Sequence, residues 1–161
     1  MKIVQNLNIK KLLIFIVVTI VIGSFFAFFL MDDMKAYDSM DKPALSPPPI
    51  VFPIAWSILY ILMAISLYIV SESKESKEEK NKIYIVYSVQ LILNSLWTLI
   101  FFGLKQRLLA FIWILALLVS VIYMTVLMYR VSKKAGLLQI PYILWLAFAS
   151  YLNFAIYLMY A

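Results

Sequence analysis

The chain contains no histidine and no cysteine. This excludes the usual general base, the commonest metal ligand, disulfides, thiolate sites and serine–histidine catalysis. What remains for chemistry is a set of amides, indoles and phenols at helical spacing. Gln90, Asn94, Trp97 and Phe101 stand at i, i+4, i+7 and i+11, on one helix face. Tyr142, Trp145, Ala149, Asn153 and Ile156 keep the same rhythm, as do Pro53, Trp56, Tyr60, Met63 and Leu67. Each stripe carries a tryptophan, and two add an amide. Such surfaces hold flat apolar molecules by stacking and burial, with a few polar groups to orient them. They contain no acid–base pair, no metal-ligand set and no need for a cofactor.

The elements that must position these stripes are set by charge. All 14 Lys and Arg and all 8 Asp and Glu fall in the N-terminal tail or in four short segments. Between them lie charge-free apolar runs, giving spans at about 12–31, 50–70, 83–104, 108–129 and 135–159. About 20 helical residues cross a ~30 Å hydrocarbon core, and a charge at its centre costs about 2.5–3.5 kcal/mol. The composition, 65% hydrophobic with mean hydropathy +0.97, agrees. The expectation is an all-α integral membrane protein, one five-helix domain over 1–161. The net charge of +6 is scattered over helix ends, so it suits headgroup anchoring and not nucleic acid.

Lys2, Lys10 and Lys11 precede the first run, which is longer than the ~7–15 residues of a signal core and is read as a retained span. Ten basic residues lie on the N-terminal side of the spans, against four on the other, namely Lys35, Lys42, Lys105 and Arg107. The positive-inside rule then predicts a cytoplasmic N-terminus and an outside C-terminus. Residues 71–82 read as a solvated link, and 105–107 as a tight turn between antiparallel neighbours. Residues 32–49 are long for a connection and carry Pro43, Pro47, Pro48 and Pro49. They read as a lid in extended form, or as a stiff linker. Pro53 and Pro141 mark helix starts if they fall in a first turn, and kinks otherwise.

Inside a bilayer, Gln90, Asn94 and Asn153 must face other helices, because lipid offers an amide no partner. They then serve either as helix–helix contacts, worth about 0.6 kcal/mol each, or as the polar points of a pocket. Tryptophans near span ends serve as interface anchors or as ligand contacts; Trp113, without polar company, is read as an anchor. Gly23 and Ala27 form a small-xxx-small face for packing against another helix or a second protomer.

Three stretches carry a resemblance: KPALSPPPIVFPIAWSILYILM (42–63), QLILNSLWTLIFFGLKQ (90–106) and IPYILWLAFASYLNF (140–154). Together they resemble, over about residues 37–158, the TspO/MBR family of tryptophan-rich sensory proteins and translocator proteins. The resemblance implies a bacterial plasma-membrane protein, commonly a homodimer, with a pocket beneath the first loop. Its ligands would be porphyrins such as protoporphyrin IX and, by family analogy, benzodiazepine-type drugs. Carried over by position, the ligand-binding residues are Phe52, Trp56, Tyr60, Asn94, Trp97, Trp145, Ala149 and Asn153. The function implied is a tetrapyrrole receptor. Two alternatives remain: light- and oxygen-dependent porphyrin degradation with Trp56 or Trp145 as redox partner, and facilitated transport. Lys42, Lys105 and Arg107 are candidates for the ligand's carboxylates, or else headgroup anchors. Ala44, Leu45 and Ile50 stand where many relatives have tryptophan, which leaves the lid less aromatic. The C-terminus YLNFAIYLMYA lacks the basic residue of the sterol pattern, so sterol recognition is not expected.

Overall fold

The computed structural model describes residues 7–161, among which every regular element is helical. Lys2, counted above among the basic residues of the N-terminal side, lies outside the described residues. The order is α1 (Ile9–Gly23), α2 (Phe25–Phe29), α3 (Met31–Asp38), α4 (Val51–Glu72) and α5 (Lys77–Thr98). A π turn, Leu99–Gly103, continues α5 and is followed by α6 (Arg107–Val131), α7 (Lys133–Leu137) and α8 (Ile140–Tyr160). Among the described residues, four helical stretches are long and apolar enough to cross a membrane: Val51–Glu72, Lys77–Gly103, Arg107–Val131 and Lys133–Tyr160.

The helices overrun the charge-free runs, because a helix end that reaches water tolerates charge. The supposed link 71–82 is mostly helix: Ser71 and Glu72 finish α4, and Lys77 opens α5. Ser76 caps α5 by accepting from the Glu79 N–H at 3.2 Å, with Glu78 and Glu79 in the first turn, an arrangement that satisfies orphan donors and suits the helix dipole. The lid expected in extended form over 32–49 is likewise half helical. Its first part has no proline, and with Asp32 and Asp33 in the first turn and Lys35 in the last it forms α3. Only the proline-bearing part from Ser39 to Ile50 is irregular. Pro53 and Pro141 both fall in first turns, where a missing N–H costs nothing.

The expected first span is not one continuous helix. Ser24 interrupts it at φ −98° and Leu30 at φ −108°. The Ser24 hydroxyl donates to the Ile20 carbonyl at 2.5 Å, a back-bond that bends helices.

The core is a seam between α5, α6 and α8. On α6, Ile114, Leu117, Val121, Met124 and Met128 are wholly buried, and their alternating three- and four-residue steps are those of knobs-into-holes packing. On α8, Tyr142, Leu146, Ala149, Asn153 and Ile156 answer with the same steps and are buried too. α1 packs on α4 and α5, and α7 on α4 and α6. Ile54, Ile58 and Ile61 of α4 point outward and are exposed, the face an apolar solvent would wet. Trp113, read above as an interface anchor, is partly buried, and its indole N–H donates to the Leu93 carbonyl at 2.9 Å, tying α6 to α5.

The reversal from α6 into α7 is tight. A Cβ at Gly136 would stand 2.7 Å from the Tyr129 Cα, and a backbone atom cannot yield cheaply. Gly136→Ala is therefore expected to destabilise the protein by about 1–3 kcal/mol, as overpacking does, seen as a lowered denaturation midpoint in detergent.

Candidate ligand-binding site

A cavity of about 420 Å³ lies between the α1–α2–α3 segment and helices α4, α5 and α8, within the ~300–1,000 Å³ usual for small-molecule sites. From α4 it is lined by Phe52, Pro53, Trp56, Ser57 and Tyr60, one face of a helix at its i, i+4 and i+8 repeats. From α8 come Ala149, Leu152 and Asn153, and from α5 Trp97 and Thr98. The π turn adds both Phe101 and Phe102. Its defining bond runs from the Leu104 N–H to the Leu99 carbonyl at 2.8 Å, five residues back, and widens the helix there. Lys105 then takes a left-handed φ of 55°. The Arg107 guanidinium closes the turn by donating to the Phe101 carbonyl at 2.9 Å.

The aromatic rings form two stacked pairs. Trp56 lies on Tyr60 with centroids 5.7 Å apart, and Trp97 on Phe101 at 5.3 Å. Trp145 stands behind this surface, edge-on to Trp56 at 6.4 Å and to Phe52 at 5.9 Å. It buttresses Trp56 and does not line the cavity. Asn94 also stays out of the lining: its amide donates to the Tyr60 hydroxyl at 3.1 Å. Gln90 accepts from the Tyr142 hydroxyl at 2.9 Å and donates weakly to the Met63 sulfur. These two amides thus act between helices. Asn153 does line the cavity, and its Oδ1, like Nε1 of Trp97, is buried without a partner among the described residues.

Of the residues expected to bind ligand, Phe52, Trp56, Tyr60, Trp97, Ala149 and Asn153 share one cavity wall, with Asn94 and Trp145 directly behind it. The three basic candidates are placed otherwise. Lys42 donates to the carbonyls of Tyr37 and Asp38 at 3.3 and 2.7 Å, Lys105 pairs with Asp33 at 3.8 Å, and Arg107 lies 4.6 Å from the Phe101 ring centroid. None of the three lines the cavity.

The sequence stripes did not identify the opposite wall, made by Ile20, Gly23, Ser24, Ala27, Met34, Tyr37 and Asp38. Gly23 does pack helix to helix: a Cβ there would lie 2.5 Å from the Tyr60 ring. Tyr37 packs edge-on against Phe101 and Phe102, both at 5.4 Å. Burial raises the Tyr37 phenol above its ordinary value, against the pull of the Arg107 guanidinium, so it stays protonated at neutral pH. Tyr37 sits in a stretch of acidic and basic neighbours, and only its aromatic character could have marked it for burial.

The Tyr60–Asn94 bond holds the cavity floor. Asn94→Leu strands a buried phenol and should cost about 1–3 kcal/mol. Tyr60→Phe with Asn94→Leu should cost less than the sum of the two single changes, measured as denaturation midpoints in a double-mutant cycle.

Residues 15–159 match the family model described as TspO/MBR family. The chain is 40% identical over 156 residues to the "Tryptophan-rich protein TspO" of Archaeoglobus fulgidus, covering 96% of this chain and all of that one. It is 40% identical to "Protein CrtK" of Rhodobacter capsulatus over 75% of this chain and 76% of the relative. With the human "Translocator protein" it shares 33% identity over 78% of this chain and 75% of that protein. With the apolar helices and the cavity they enclose, these likenesses make the chain an integral membrane protein of the TspO/MBR family.

Proposed function

We propose that this protein is a membrane receptor for flat, apolar tetrapyrroles of the protoporphyrin IX kind, held among Trp56, Tyr60, Trp97 and Phe101. One observation carries the reading: two stacked aromatic pairs from different helices bound a single cavity. A macrocycle inserted edge-first would gain stacking and apolar burial, with Asn153 as the polar point beside it. Benzodiazepine-type drugs, largely apolar, are proposed for the same cavity from family membership. α1 and α2 end to end provide about the length of a fifth crossing, and the irregular 39–50 segment caps the bundle end where Pro49 borders the cavity. The distribution of lysine and arginine supports a cytoplasmic N-terminus in the plasma membrane. Assembly as a homodimer is proposed from family membership.

Titration with protoporphyrin IX should quench tryptophan fluorescence saturably. Trp56→Ala should weaken binding by roughly tenfold, as loss of one stacking surface of about 1–1.5 kcal/mol implies. Trp113→Phe, outside the cavity lining, should leave the affinity unchanged. Unsaturable quenching, or equal affinity for the Trp56 variant, would overturn the reading.

A second reading has its own support in the contact between Trp56 and Trp145. A bound porphyrin excited by light, with dioxygen as oxidant, would find Trp56 beside it and Trp145 as a second indole behind. Illuminated samples should then lose the Soret band faster with the protein than without it, and Trp145→Phe should slow that loss while binding persists. No acceleration by the protein would remove this activity and leave the receptor reading in place, whereas an unchanged rate in Trp145→Phe would remove only the role of that indole.

A further inference from the structure

Two buried polar atoms in the cavity wall are left without a partner among the described residues: Nε1 of Trp97 and Oδ1 of Asn153. They come from different helices, α5 and α8, and the two residues are only 9% and 2% exposed. A buried indole N–H ordinarily finds an acceptor. A buried amide oxygen without a donor bears the full cost of leaving water. Three hydroxyls of the same wall are satisfied within the protein. Those of Ser24 and Ser57 donate to the carbonyls of Ile20 and Pro53 at 2.5 and 2.7 Å, and that of Tyr60 accepts from Asn94 at 3.1 Å.

The capacity left over is specific in kind: one N–H that can donate and one carbonyl oxygen that can accept. Phe52, Trp56, Phe101, Phe102 and Ala149 around them offer stacking and apolar burial to any flat body of suitable size. Such contacts distinguish little between a hydrocarbon and a heterocycle of the same outline. A buried hydrogen-bonding group does distinguish them, because a ligand that cannot pair with it leaves it stranded. A carbonyl alone would answer Trp97 and leave Asn153 unmatched, and an N–H alone would do the reverse. A lactam carries both groups in the plane of a flat ring, so neither is gained at the expense of stacking area.

We infer that Trp97 and Asn153 form a hydrogen-bonding subsite that selects, among flat neutral ligands, those whose inserted edge carries an N–H donor together with a carbonyl acceptor, as a secondary lactam does. The ligand N–H donates to Asn153 Oδ1, and the Trp97 indole N–H donates to the ligand carbonyl. This rests on the cavity being the site proposed above and adds a class of ligand to it. Protoporphyrin IX, held by its ring, remains a ligand of the same cavity.

The test uses the full chain in non-ionic detergent, with displacement of protoporphyrin IX read at its Soret band. The probes share one tricyclic outline. Phenanthridinone has both groups, its N-methyl derivative keeps only the carbonyl, and phenanthrene has neither. Inhibition constants are corrected for each probe's measured partition into detergent. In the wild type, phenanthridinone should bind about 3- to 10-fold tighter than the N-methyl lactam, and the N-methyl lactam about 3- to 10-fold tighter than phenanthrene, as one net hydrogen bond each implies. Asn153→Leu should close the first gap and leave the second. Trp97→Phe, which keeps a ring stacked on Phe101, should close the second and leave the first. Each comparison is between probes on one variant, so a general loosening of the bundle cancels. Equal constants for the three probes on the wild type would overturn the inference, and that arm needs no variant to fold. A gap that survives the variant meant to close it would do the same, as would variants that shift all three probes alike, the mark of a merely structural role. Failure of every probe to displace bound porphyrin would overturn the subsite and leave the tetrapyrrole site intact. Absence of saturable porphyrin binding would overturn the site reading and the subsite with it.

Discussion

An amide or phenol in hydrocarbon has no water to fall back on, and this constraint organises the bundle. Gln90, Asn94 and Asn153 are all nearly or wholly buried, and two of them are satisfied by phenols on other helices, Tyr142 and Tyr60. Each such bond sets the rotation of both helices that make it. With α5 turned so that Asn94 meets Tyr60 on α4, Trp97 and Phe101 follow on the same face three and seven residues later. With α8 turned so that Tyr142 meets Gln90, Asn153 is brought to the cavity. The polar bonds lie at the floor and the aromatic rings above it.

Two of the helical segments that border the cavity depart from regularity. The break at Ser24 divides α1 from α2, and α2 packs against α5. The π turn at Leu99–Gly103 lets adjacent residues Phe101 and Phe102 both reach the cavity, which an ordinary turn would place about 100° apart. Regular helices packed at native density would leave no room of this size. The hydroxyl of Ser24 and the guanidinium of Arg107 satisfy backbone carbonyls around these irregularities, which matters where water is scarce.

The resulting chamber has apolar walls, a floor held by hydrogen bonds and an opening that carries charge. The division suits a ligand whose body is aromatic and whose edge is polar. It also accounts for the amides that share helical stripes with the rings in this chain: Asn94 holds Tyr60, on which Trp56 stacks. Trp145 shows the distinction, since it shares the stripe spacing yet stands behind Trp56 as a buttress.

Much was legible in the chain alone. Charge-free runs located the helices because solvation of a charge is a large, local, additive penalty. The 3.6-residue period selected the inward faces because it depends only on neighbours along one helix. Those two facts placed Trp56, Tyr60, Trp97, Ala149 and Asn153 on inward stripes, and the family resemblance added Phe52 and singled out all six for one pocket. Tertiary structure alone decided that Asn94 and Trp145 stand behind the wall, and that 31–38 folds as a helix whose Tyr37 is buried. It also decided that Lys42, Lys105 and Arg107 are engaged elsewhere while Asp38 borders the cavity. These depend on which distant carbonyl, ring or carboxylate comes within about 3–4 Å once the helices pack, and hydrogen bonds and ion pairs at that range leave no period in a sequence to be read.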